Sequence, residues 1–345
     1  MRRWKRRPEG SNWGDFGDDD RLGRLNLITA EKVREGIAEV QTGQTFCLSL
    51  PLDYPGGTVL NPRRFPPEMA FSMRGDDPAM CYPMDRVFEG WTDVVCDDRV
   101  TLSTQYSTQW DSLAHMGSRF DADDDGVAEI VFYNGYRAGV DVRGPKDYLN
   151  DGTSVPPPYG AGPLGIDGLA AHGLQGRGVM IDLYRHYGNA HEAVGYDALM
   201  QILDADGVTI EAGDMVCIRT GFDRELLAHH TTPPEGIQHA VCTGLDGSDQ
   251  RLLQWVTDSG LAALISDNEG VEFLPTPNPP ATNGAHYPLH EHCLFKLGVP
   301  LAELFMLSDL ADWLAAHQRY RFLLTAPPLR LPGAVGSPVT AIATV

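Results

Sequence analysis

The sequence predicts a mixed α/β fold built as one continuous domain, and three observations carry that expectation. Runs such as "RGVMIDL" (177–183), "DMVCIRTGF" (214–222) and "GLAALISDN" (260–268) are too evenly apolar for half-exposed strands. They read as strands covered on both faces. Between them, Tyr196 to Ala205 and Ser248 to Ser259 space their apolar residues as helices do. No repeat, low-complexity linker or shift in composition divides the 345 residues, a length that suits one large domain as well as two ordinary ones.

Taken in order, residues 1–22 carry six basic residues around a D-F-G-D-D-D cluster and read as an exposed N-terminal arm before a domain spanning 23–345. Thr29 is placed to cap a helix whose apolar residues recur at helical spacing to Val40. "TFCLSLPLD" (45–53) reads as a strand, and Pro- and Gly-rich loops fill 54–90. "RVTLST" (99–104) reads as a strand running into Q-Y-S-T-Q-W-D-S-L-A-H (105–115), and "EIVFYNG" (129–135) as another. Residues 287–298 and 300–316 read as helices on either side of a Gly298/Pro300 break.

The net charge of −20 argues against nucleic acid and anionic membrane as partners, since their phosphates would be repelled. Six cysteines lie far apart with no C-x-x-C, mainly in apolar or strand-like runs, which reads as reduced, buried thiols in a cytoplasmic protein. The basic start M-R-R-W-K-R-R-P-E-G lacks the apolar stretch of a secretory signal, and no apolar run is long enough to span a bilayer.

Chemistry concentrates in 105–115. Asp111 and His115 would share one face if a helix began near Asp111, although Asp111 also suits a plain helix cap. Gln105, Ser107, Gln109 and Asp111 alternate as one polar strand face, which is costly to bury unless something binds there. In "HYPLHEHCLFKLGVPLAELFMLSDLADWL" (286–314), His290 and Glu303 fall on successive helical segments, with His286 and His292 as competitors that helical phase does not rank. D-A-D-D-D-G (121–126) starts like a calcium-binding loop but carries Phe132 where that loop needs its glutamate, so it reads as an acidic surface turn. "GLDGS" (244–248) lacks the central serine of a nucleophile elbow, and no Ser/His/Asp or Cys/His arrangement stands out. The nucleophile is expected to be an activated water.

With "WGDFGDDDRLGRLNLITAEKV", "STQWDSLAH", "FYNG", "GRGVMIDL", "GDMVCIRTG", "SDNEGVE", "LHEHCLFKLGVPLAELFMLSDLA" and "LTAPPLRLPGAVGSP" in this order, the chain resembles the cyclase-like metal-dependent hydrolases, which include kynurenine formamidase and isatin hydrolase. The resemblance implies a swivelling β/β/α-type mixed sheet and a homodimer or homotetramer. It also implies a divalent cofactor, zinc or manganese, that activates water to open an amide, lactone or cyclic-imide bond in a small, cyclic or aromatic substrate. Laid on the family signature H-x-G-T-H-x-D-x-P-x-H, this chain has Gln105 and Gln109 at the two metal histidines, and keeps Asp111 and His115. The family's further ligand pair falls on His290 and Glu303. Longer members carry Q-W-D here, so the change reads as a subgroup trait.

The resemblance thus assigns Asp111, His290 and Glu303 as ligands and His115, with Asp111, as the catalytic pair. Gln105 and Gln109 become weak ligands or oxyanion donors, because an amide oxygen binds zinc less well than imidazole does. Trp110, Tyr133 and Phe273 are candidates for lining a substrate pocket. Two alternatives stay open: a metal-poor enzyme using His115 and Asp111 for proton transfer in a cyclisation or dehydration, and a small-ligand binder without turnover.

Overall fold

The computed structural model describes residues 2–149 and 151–345, so Met1 of the expected arm lies outside them. Its centre is a nine-stranded mixed sheet. Its strands, numbered in chain order, are β1 (Thr45–Cys47), β2 (Gln109–Asp111), β3 (Gln175–Asp182), β4 (Met215–Arg219), β5 (Ala263–Ser266), β6 (Leu301–Glu303), β7 (Arg321–Thr325), β8 (Gly336–Pro338) and β9 (Ile342–Thr344). Across the sheet they run β1-β9-β7-β3-β4-β5-β6-β2-β8. The pairs β3/β4, β4/β5 and β5/β6 are parallel, and the flanking pairs are antiparallel.

The three apolar runs form β3, β4 and β5, and they are buried as their composition predicts. Alternate residues divide between two cores. Val179, Ile181, Val216, Ile218 and Leu264 pack on one face, and Met180, Cys217 and Ile265 on the other. Helices Tyr196–Asp206 and Gln250–Ser259 cover the first face through Leu199, Ile202, Leu252 and Val256. Helix Ser308–Ala316 covers the second through Leu310 and Leu314. Helix Ala30–Ala38 opens as expected, with the Thr29 hydroxyl accepting from the Lys32 amide. It approaches β3 so closely that a Cβ on Gly36 would lie 2.7 Å from the Gly176 carbonyl carbon. Only glycine admits that contact.

Four expectations need correction. The N-terminal segment is not exposed as a whole: Trp13 is fully buried with its indole donating to the Phe295 carbonyl at 2.8 Å, and Trp4 is nearly so. Its charges stay outside while its two tryptophans fill the core. Q-W-D does not begin a helix; it is strand β2, second from one edge of the sheet, with a turn after it in which the His115 amide donates to the Ser112 carbonyl. Two neighbouring strands supply its ladder bonds, and Trp110 needs a pocket that only the strand geometry provides. Residues 300–316 do not form one helix either. Leu301–Glu303 is strand β6, completely buried between β5 and β2, and sheet pairing there outweighs the helical preference of L-A-E. Residues 98–101 are a strand, as expected, but pair with 68–71 outside the main sheet.

Residues 65–101 form an appendage of short antiparallel pairs: 68–71 with 98–101, 73–74 with 77–78, and 82–83 with 94–95. Of these residues only Ala79 is buried. D-A-D-D-D-G is the surface turn expected of it, since both Asp121 oxygens accept backbone N–H bonds, from Asp125 and Gly126. Among the described residues no helix is long and apolar enough to cross a membrane.

Candidate metal centre

Strand geometry brings the polar residues together. Gln109 and Asp111 are two apart on β2, so both point to one face, and the antiparallel register sets Glu303 of β6 directly across from Gln109. His290 arrives from the opposite side, at the end of a short helical turn that leads into a π-helical segment, Glu291–Leu297. One nitrogen or oxygen from each of Asp111, His290 and Glu303 lies within 4.8 Å of the others, and all three residues are buried.

Each member is held by a partner of its own. The buried Glu272 accepts from the His290 backbone N–H at 3.1 Å and lies 2.6 Å from its Nδ1, which fixes the ring and turns Nε2 toward Glu303 Oε1 at 3.3 Å. A carboxylate on the far ring nitrogen is the usual support of a metal-binding histidine. Gln109 Nε2 donates to Glu303 Oε2 at 2.7 Å, and Gln105 Nε2 donates to Asp111 Oδ1. The same Gln105 nitrogen stands 3.1 Å from His115 Nδ1. His115 Nε2 is 3.8 Å from Asp111 Oδ2, and the His115 side chain is 23% exposed, so it opens onto the site from its wet side.

The charge balance of these side chains suits a cation. Burial raises the Asp111 pKa above the ordinary carboxylate range. Burial opposes charge on His290 too, but hydrogen bonds to Glu272 and Glu303 outweigh it and push its pKa up to about 10. Without an ion, a proton on His290 is what balances the carboxylates. Asp111 Oδ2 and Gln109 Oε1 are buried without any hydrogen-bond partner, a costly arrangement. Two carboxylates, one oriented imidazole and two orphaned oxygens fit a divalent cation.

The three histidines of 286–292 are now ranked. His292 binds Thr257 through Nε2 at 2.9 Å, and burial lowers its pKa to about 4. His286 lines a surface groove with Arg119 and Lys296. Only His290 among them reaches the carboxylates.

Two substrate-pocket candidates are placed elsewhere. Trp110 points to the opposite face of β2, fully buried against Phe305, and its indole donates to the Ala326 carbonyl at 2.8 Å. Period-two alternation separates it from Gln109 and Asp111. Tyr133 is fully buried under the N-terminal segment with its hydroxyl donating to Asp20. Phe273 does line a cavity next to the site, its ring tilted against His191 with centroids 4.4 Å apart, together with Glu269 and Glu272. Sequence reasoning missed Glu272, Glu269 and Arg64. Glu269 and Arg64 line a second small cavity, and Arg64 Nη1 stands 3.8 Å from Glu303 Oε2. Burial, then the Glu303 charge, raises the Glu269 pKa to about 8. The run "SDNEGVE" held the only signal for the two glutamates, as carboxylates following a buried strand.

Three comparisons with known proteins place the chain among others. The Cyclase family model matches residues 48–272. A crystal structure described as a novel cyclase shares 30% sequence identity over 97% of each chain, with a TM-score of 0.73. Isatin hydrolase A from Labrenzia aggregata, bound to benzyl benzoate, shares 14% identity over 91% of this chain and 97% of its own, with a TM-score of 0.52. The enzyme of that name from Ralstonia solanacearum shares 14% over 90% and 95%, with a TM-score of 0.53. At such identity these two likenesses concern the fold alone. No curated protein matches the chain.

Proposed function

Because the chain belongs to the cyclase family, we propose that it is a metal-dependent hydrolase that opens an amide, lactone or cyclic-imide bond in a small, cyclic or aromatic substrate. The observation carrying this reading is the buried set Asp111, His290 and Glu303 beside two oxygens without hydrogen-bond partners. Those three residues would hold the ion, with the Gln109 carbonyl oxygen turned to the same space. A bound divalent ion, zinc or manganese, supplies a Lewis acid for the substrate carbonyl and makes water a competent nucleophile near neutral pH.

The protein's own groups do the rest. Glu272 keeps His290 Nε2 aimed inward by engaging Nδ1. Gln109 and Gln105 hold the two carboxylates in place by donating to the oxygens Glu303 Oε2 and Asp111 Oδ1. His115 takes a proton at Nε2 and returns it to the leaving group, and Asp111 Oδ2 at 3.8 Å stabilises the imidazolium between those steps. That role requires the neutral ring to keep its own proton on Nδ1. A half-turn of the Gln105 amide presents its oxygen there, and in that state Gln105 no longer donates to Asp111 Oδ1, whose charge a bound ion would then balance. The substrate approaches from the side where His115 is exposed.

The deciding experiment measures metal content of purified protein and turnover on a panel of lactones, aryl formamides and cyclic imides, before and after chelation. About one ion per chain, with activity lost on chelation and regained with zinc or manganese, supports the reading. Turnover that survives metal removal replaces it with proton-transfer chemistry by His115 and Asp111 alone. The His115→Ala variant is expected to bind the ion and lose turnover by about 10²–10⁴-fold.

A further inference from the structure

The appendage over 65–101 contains a pair of sulfurs unrelated to the metal centre. Its strands 82–83 and 94–95 pair antiparallel, with Tyr82 opposite Val95. One step further along, the Asp97 amide donates to the Ala79 carbonyl at 2.7 Å, so Met80 and Cys81 together face the single residue Cys96. The extra residue makes a β-bulge, and Cys81 takes up the bend with a positive φ of 52°. Its backbone N–H donates to Cys96 Sγ at 3.2 Å, and the Cys96 side chain beside it raises the Cys81 thiol pKa. Both residues are exposed, against the expectation that the cysteines are buried, because the short hairpin has nothing packed over it. The adjoining laddered pair Tyr82/Val95 sets the two backbones about 4.5–5.5 Å apart, close to the roughly 4.4–6.8 Å that a disulfide spans. Of the other four cysteines, Cys217, Cys242 and Cys293 are buried and Cys47 is exposed on β1.

We propose that Cys81 and Cys96 are a redox-active dithiol, oxidised to an intramolecular disulfide by a small-molecule disulfide of the glutathione class. The Cys96 thiolate attacks one sulfur of the small disulfide, whose S–S bond breaks to release one small thiolate. Cys81 gives its proton to solvent and attacks the Cys96 sulfur of the mixed disulfide, displacing the second small thiolate. Two protein thiols are oxidised, one small disulfide is reduced, and both released thiolates take protons from water. Exposed disulfides of this kind belong to the reducible, responsive class rather than the structural one. The bond would close residues 82–95 into a loop carrying the stacked pair Phe88 and Trp91, whose rings are 4.3 Å apart. That hairpin otherwise has almost no buried core to hold it.

The test uses full-length protein equilibrated with oxidised glutathione, followed by intact mass, native thiol titration and peptide mapping. The proposal expects a loss of two hydrogens, a fall in titratable thiols from the three exposed cysteines to Cys47 alone, and a linked peptide pair joining Cys81 to Cys96. Chymotryptic cleavage between 82 and 95 should slow on the order of tenfold, because the loop is tethered, and a dithiol reductant should restore it. In Cys81→Ser, Cys96 should instead retain a stable glutathione adduct and cleavage should stay fast. Wild-type protein that keeps three free thiols, or carries separate adducts on Cys81 and Cys96 that never convert, overturns the proposal. Neither outcome depends on metal or on turnover, so it stands or falls apart from the hydrolase reading.

Discussion

The candidate metal centre and the 65–101 appendage invert the usual rule of burial in opposite directions. Around β2 and β6 the chain buries Gln105, Gln109, Asp111, His290 and Glu303. In the appendage it leaves Phe65, Met69, Phe71, Met73, Val87, Phe88, Trp91 and Val94 in solvent. The centre tolerates its polar groups because each has a specific partner, down to the two oxygens that are left over. The appendage tolerates its apolar side chains because strand pairing holds the backbone while nothing packs over it. Departures of this kind from local rules concentrate where a molecule binds something. The difference lies in stiffness: a built site needs every neighbour fixed, and a surface hairpin does not.

The sharpest way to break this comparison is to exchange equivalent losses between the regions. Trp110→Ala removes a fully buried indole and its hydrogen bond to Ala326, and is expected to cost about 3–5 kcal/mol in denaturant unfolding. A cost below about 1 kcal/mol would mean that the sheet around β2 is not rigidly packed. A smaller effect follows from Glu272→Gln, which keeps the shape but weakens the hold on His290 Nδ1. Affinity for zinc, read by competition with a chromophoric chelator, should fall about 10–100-fold. Unchanged affinity would separate Glu272 from the metal centre.

Smaller again is a pH effect in metal-free protein. The His290 pKa is about 10 when folded and 6.5 as the free side chain, so its contribution to stability is complete below 6.5 and is lost as pH rises through about 10. Between those values the metal-free protein should lose at least about 1 kcal/mol, read from urea midpoints at successive pH values. A bound ion takes the place of the proton, so saturating zinc should flatten that slope. An equal slope with and without metal would show that the ion does not reach His290.

Much of this was legible in the sequence, for a physical reason. β3, β4 and β5 announced themselves because strands covered on both faces must be apolar throughout, and Thr29 because a helix start needs a side-chain acceptor. Asp111, His115, His290 and Glu303 followed from motif order. What stayed hidden depends on partners distant in sequence. Leu301–Glu303 has helical propensity and becomes a strand only between β5 and β2. Trp110 looked like a pocket residue until the strand turned it to the far face, and Trp13 looked exposed beside its charges until residue 295 supplied its acceptor. Glu272 gave no local sign of the histidine 18 residues away.

The smallest effect tests the appendage itself. Phe88 and Trp91 stack on each other at its tip, and both remain about half exposed. If strand pairing alone holds this hairpin, the double substitution Phe88→Ser and Trp91→Ser removes two large aromatic side chains and still changes global stability by no more than about 0.5 kcal/mol. Thermal or urea unfolding at low protein concentration reads that directly. A loss of several kcal/mol that grows as the protein is concentrated would mean that these rings are covered in solution by another copy of the chain. The exposed apolar face would then be half of an interface, and the contrast with the candidate metal centre would hold only for the isolated chain.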